Sequence, residues 1–239
     1  MPEPAPKSFM QILLDLQKQE DARRQAIAVA GLTGQLERLR RWQSERLQRT
    51  YRDLLGNSQY RQACEFFLSD IYAASDFSQR DHDAERMYSM LTRYLPETML
   101  QLLGDTLYLN RLTYRLDDEL LQALVERLGV TEEIDAAAYA EGYRLCDNYA
   151  ERRKQIDLLG AVLDEAARGA HYPMVAMSIK LARGPAYKLG WGELHSFMER
   201  GYQASRPMRD IDHFVKTIKQ RELRILDKIY AGDPEPFRV

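Results

Sequence analysis

Residues 131–169, TEEIDAAAYAEGYRLCDNYAERRKQIDLLGAVLDEAARG, decide the fold class. Tyr139, Tyr143, Cys146, Tyr149, Ile156, Leu159, Val162, Leu163 and Ala166 recur at steps of three, four and seven, the spacing that lines one face of an α-helix. The stretch reads as one very long helix or two stacked pieces, with Gly142 and Gly160 as its weak points.

The same period runs upstream. Leu32, Leu36, Leu39, Trp42, Leu47, Tyr51, Leu54 and Leu55 form a stripe closed by Gly56-Asn57-Ser58, and Tyr60, Ala63, Cys64, Phe66, Phe67, Leu68, Ile71 and Tyr72 form an arc wide enough for a central helix. Asp76 and Gln79 have capping-box spacing ahead of Ala84, Met87, Tyr88, Leu91 and Tyr94. Pro96 restarts the chain, and Asp117 or Asp118 is expected to cap a separate helix that ends at Gly129. Downstream, Pro173 suits the first turn of a short helix stopping at Arg183-Gly184-Pro185, residues 184–192 read as a loop, and two helices follow.

Composition agrees. Leu and Ala total 56 residues against 25 for Val, Ile and Thr, so strand formers are scarce. The expected fold is all-α, an irregular multi-helix bundle of about 8–10 helices without a significant sheet. Residues 1–7 form a tail; 8–239 form a single helical domain in which 8–31, with Phe9, Ile12, Leu13 and Leu16, is a helix able to detach.

Cys64 and Cys146 lack metal or disulfide spacing, no apolar run reaches membrane-spanning length, and the net charge is −2. These features point to the cytoplasm, without membrane insertion and without nucleic acid as a partner. Arg38, Arg40, Arg41, Arg46, Arg49 and Arg52 crowd one helix, but Glu37, Glu45 and Asp53 interleave with them, which suits a solvated, salt-bridged face.

The segments Phe66-Phe-Leu-Ser-Asp-Ile-Tyr72, Asp76-Phe-Ser-Gln-Arg-Asp81, Gly184-Pro-Ala-Tyr-Lys-Leu-Gly190 and Phe197-Met-Glu-Arg-Gly-Tyr202, in this order, resemble an uncharacterised all-helical protein family of proteobacteria. The resemblance covers most of the chain after about Leu32. It implies a single helical domain in a bacterial cytoplasm and transfers no activity.

Few residues single themselves out chemically. Asp70 sits beside Phe66, Phe67 and Ile71, where a buried charge needs a partner such as Arg80; the pair would fix the turn at 74–79, and otherwise Asp70 faces a pocket. Arg152 and Arg153 interrupt the long stripe between Tyr149 and Ile156. On a solvated face Arg153 pairs with Asp157; turned inward, Arg152 or Arg153 with Tyr149 makes an anion-recognising corner. Tyr187, Trp191 and His195 mark the 184–192 loop as the other side of such a pocket. Metal is not called for: Glu-x-x-His pairs are missing, and Asp81-His82-Asp83 with Glu85 suits a helix start. No cofactor fingerprint is present. The leading expectation is a non-enzymatic protein acting by association with a protein partner or with itself as a homodimer. The other is a helical small-molecule binder or enzyme with an apolar pocket near the Tyr-rich helix and the 184–192 loop.

Overall fold

The structure, a computed structural model, describes residues 22–23, 25–71 and 91–239. The expected N-terminal stripe Phe9 to Leu16, the 76–79 capping box, the 81–85 cluster, Arg80 and the side chain of Asp70 lie outside the described residues.

Every regular element among the described residues is helical, and the fold is all-α. The α-helices are α1 (Thr33–Thr50), α2 (Arg52–Gly56), α3 (Arg61–Phe66), α4 (Glu97–Gln122), α5 (Ala136–Cys146), α6 (Tyr149–Gly169), α7 (Pro173–Lys188), α8 (Gly192–Ser205) and α9 (Ile211–Tyr230). Two π-helical turns, Phe67–Ile71 and Ala123–Arg127, continue α3 and α4. None of these helices is long and apolar enough to cross a membrane.

Local chemistry sets the ends. Gly31 takes φ 69° ahead of α1, where a side chain would be strained. Asp135 and Asp210 accept the backbone N–H groups of Ala138 and His213, satisfying donors left open in the first turns of α5 and α9. Gly129 and Gly232, also at positive φ, follow the ends of the second π-turn and α9.

Three expectations are corrected. Asp117 and Asp118 begin no helix: α4 runs through both, and Asp117 is 3% exposed on its inner face. The 131–169 stretch takes the two-piece form of its expectation but divides at Asp147, in the left-handed conformation at φ 49°, rather than at Gly142 or Gly160, both of which lie inside helices. Residues 184–188 are helical, since α7 absorbs Pro185 with the loss of one bond to the exposed Leu181 turn, and the chain turns at Gly190 (φ 82°).

α6 is the spine, packing on α9, α4 and α8, while α8 also packs on α7 and α3. One core joins Leu47, Tyr51 and Leu54 to Phe67, Phe214 and Ile218; a second joins Leu91 and Leu103 to Ala186 and Leu194; a third joins Leu36 and Leu39 to Leu120, Leu124 and Tyr139. Ile27 and Leu32 pack on this third core, and Arg23 holds Asp118 through Nε and Nη2 at 2.6 and 2.8 Å.

Candidate functional site

The step of three from Tyr149 to Arg152, and of four to Ile156, turns Arg152 onto the inner face of α6, where it is 2% exposed. Its Nη2 donates to the Leu116 carbonyl at 2.6 Å, Nη1 lies 3.8 Å from Asp117 Oδ1, and its guanidinium carbon sits 4.3 Å from the centre of the Tyr143 ring. Gln43 on α1 donates to the same Asp117 oxygen at 2.9 Å, and the Tyr139 hydroxyl donates to that of Tyr143 at 3.1 Å. Further along this interior, Arg46 and the Tyr51 hydroxyl both donate to Glu222 Oε1, at 2.5 and 2.6 Å.

These groups surround a cavity of about 80 Å³ that Arg40, Asn110 and Tyr114 also line. Burial pushes the Asp117 carboxyl above the usual carboxylate range, against the pull of Arg152 and of the Gln43 bond. Burial also holds the Tyr51 and Tyr139 hydroxyls well above the ordinary phenol range. Buried Gln43 Oε1, an acceptor, and Arg152 Nε, a donor, have no partner among the described residues. A donor and an acceptor facing so small a space match a bridging water. The chamber is a polar tie between α1, α4, α5, α6 and α9.

The sequence-predicted residues divide between places. Arg152 enters the chamber, but its aromatic neighbour is Tyr143 rather than Tyr149, whose hydroxyl donates to Asp227 at 2.7 Å. Arg153 is exposed, and Asp157 pairs with Lys219 at 2.7 Å. Tyr187, Trp191 and His195 do cluster at the α7–α8 turn. His195 is 1% exposed and its Nε2 lies 2.8 Å from the Ile179 carbonyl, so that nitrogen carries the proton and donates. The Tyr187 ring stands edge-on to His195 at 5.9 Å, and its hydroxyl lies 3.0 Å from Ser196 Oγ. These contacts fasten α8 to α7. None of the three residues lines either cavity described here.

A larger cavity, about 340 Å³, lies between α3, the start of α4, the end of α6, α7 and α8. Its walls include Phe66, Phe67, Leu102, Val162, Phe197 and Met208. The π-helical turn begins at Phe67, and Gly201 lets α8 approach closely: a Cβ there would lie 3.1 Å from Phe66 Cζ. Charged groups stand at the rim already engaged, with Arg168 donating to Asp164 at 2.9 Å and to Asp212 at 2.5 Å. Burial, then Asp105 and Asp164, push the Glu165 carboxyl upward, toward its neutral form.

This cavity lies apart from the expected pocket position. It uses the C-terminal half of the Tyr-rich stretch and the beginning of α7, not residues 184–192, because those residues continue α7 and turn away at Gly190. Sequence reading passed over its wall, for Phe66, Val162 and Met208 look like any core residue until several helices meet around them. Gln43 and Arg46 also went unrecognised, and Arg46, 6% exposed, leaves the solvated face expected for that helix. No group of three or more His, Cys, Asp and Glu among the described residues is placed to hold a metal ion.

No curated protein and no solved structure shows a significant match to the chain. A family model described as a domain of unknown function, DUF8198, matches residues 22–236, and the chain belongs to that family.

Proposed function

We propose that this is a small-molecule-binding protein that takes an uncharged, largely apolar ligand into the cavity between α3, α4, α6, α7 and α8. The observation that carries the reading is the cavity itself: about 340 Å³, walled by aliphatic and aromatic side chains. That volume falls within the size range of ligand pockets, which are mostly apolar with a few polar groups. An unfilled apolar hole of this volume, at ~24 cal/mol per Å³, would cost about 8 kcal/mol, an upper bound because the mouth admits water. Marginally stable folds rarely carry such a burden without use for it.

Ligand charge follows from the rim. Arg168 is held by two carboxylates, so it offers no free cation to an anionic ligand, and the apolar walls would leave any ionic ligand without its hydration. Thr98, Gln101 and Tyr202 at the rim can take a hydroxyl or carbonyl end.

Titration with N-phenyl-1-naphthylamine, a neutral apolar fluorophore, tests the proposal. The wild type is expected to give a saturable fluorescence rise, and Ala166→Phe, which fills the cavity, to weaken binding at least tenfold, about 1.4 kcal/mol. Absence of a saturable signal in the wild type, or unchanged binding by a folded Ala166→Phe, refutes it.

A further inference from the structure

Five of the eight exposed large hydrophobic residues among the described residues fall within 172–187: Tyr172, Met174, Met177, Leu181 and Tyr187. Each is more than half exposed, Met174 the most at 64%. Met174, Met177 and Leu181 follow helical spacing along one line of α7, opposite the buried Ser178, Ile179, Ala182 and Ala186. Burial of the inner face thus explains half of this helix and leaves a second apolar stripe facing solvent.

The charges beside that stripe have one sign. α7 carries Lys180, Arg183 and Lys188, all exposed, and no Asp or Glu occurs between Arg168 and Glu193, in a chain whose net charge is −2. Lys180 stands one turn beyond Met177 and Lys188 two turns beyond Leu181, so both border the stripe, while Arg183 lies further round the exposed face. An apolar stripe flanked only by cations, with a tyrosine near each end, has the makeup of a helix that lies in the headgroup layer of a bilayer. Side chains this exposed form a ridge rather than a groove, which suits a deformable lipid surface better than a second helix seeking a slot.

We infer that the outer face of α7 docks the protein on an anionic lipid surface, with Met174, Met177 and Leu181 entering the acyl boundary and Lys180 and Lys188 meeting the acidic headgroups. This docking stands independently of the ligand reading, because none of Met174, Met177, Lys180, Leu181 and Lys188 lines the apolar cavity. If both hold, Tyr172, exposed at the start of α7, and Val175 on its first turn both line the cavity and place its mouth beside the lipid.

Flotation of the full chain with vesicles tests it, using phosphatidylcholine alone and an equal mixture of phosphatidylcholine and phosphatidylglycerol. The protein should partition into the mixed vesicles at least about tenfold better than into the neutral ones, and high salt should reduce the difference. Lys180→Glu/Lys188→Glu and Met177→Asp/Leu181→Asp, both surface changes, should each lose at least about tenfold while keeping the wild-type melt and naphthylamine signal. Failure of the wild type to float, equal binding to both vesicles, or unchanged flotation by either variant overturns the inference. A dimer in light scattering that Met177→Asp/Leu181→Asp dissolves, without flotation of the wild type, assigns the face to self-association and equally overturns it.

Discussion

Gln43 and Asp117, 74 residues apart in the chain, meet at 2.9 Å inside the molecule, and Arg152 approaches the same carboxylate oxygen at 3.8 Å. Three helices are therefore tied by polar side chains at a depth where each group is at most 3% exposed. Such a cluster contributes less net stability than its contacts suggest, because every member gave up water to join it. Its stronger effect is on register. Sliding α4 by one residue past α1 would strand the carboxylate without a donor, which is expensive in a low-dielectric interior.

The raised Asp117 proton affinity gives the fold a pH signature. A carboxyl that holds its proton more tightly when folded contributes stability present below the ordinary carboxylate range and lost as pH rises through the shifted value. Asp117→Asn keeps the shape and an acceptor for Gln43 but cannot ionise. Thermal melts of both proteins between pH 4 and 8 should show the wild type losing ground to the variant as pH rises. A wild-type advantage that grows with pH would mean that the Arg152 attraction outweighs desolvation.

Gly142 and Gly160 make opposite predictions despite similar helical settings. A Cβ at Gly142 would lie 2.8 Å from Leu120 Cδ1 and 3.2 Å from Leu124 Cδ2, both core leucines with little room to move. Gly142→Ala should destabilise by about 1 kcal/mol, the overpacking penalty exceeding the gain in helix propensity. At Gly160 the nearest atom is Lys219 Cδ at 3.6 Å, an ordinary contact with a flexible side chain. Gly160→Ala should stabilise by about 0.5–1 kcal/mol. Urea unfolding of the two variants checks both signs, and a stabilised Gly142→Ala would show that α5 can retreat from α4.

Both glycines were read as weak points in the sequence, and the contrast shows what periodicity can carry. The helical stripe was legible because burial repeats every three to four residues, and Arg152 stood out because it lies on that stripe. The break at Asp147 left only the faint mark of Asp147-Asn148, the residue types other than glycine that take a left-handed φ, without a glycine or proline to announce it. Arg46 was hidden differently: its neighbours Glu45 and Arg49 are exposed ions, and the face that turns inward depends on Glu222, far along the chain. The apolar cavity has no linear signature because its walls come from separate helices.

Cys64 provides a probe of the core joining α3 to α9. The thiol is 5% exposed, and burial, with smaller contributions from Asp53 and Glu65, pushes its pKa up to about 12. Disulfide exchange requires the thiolate, whose population near pH 8 is then about one in ten thousand, against roughly a quarter for an ordinary cysteine. Cys146, partly buried, is shifted in the same direction by burial. Folded protein should therefore react slowly with Ellman's reagent at both positions, and both should react promptly in denaturant. A Cys146→Ser variant isolates Cys64: its remaining thiol should become reactive in step with unfolding followed by circular dichroism along a urea series. Prompt labelling of this variant in native buffer would show that the α3–α9 core opens locally, well before the rest of the fold.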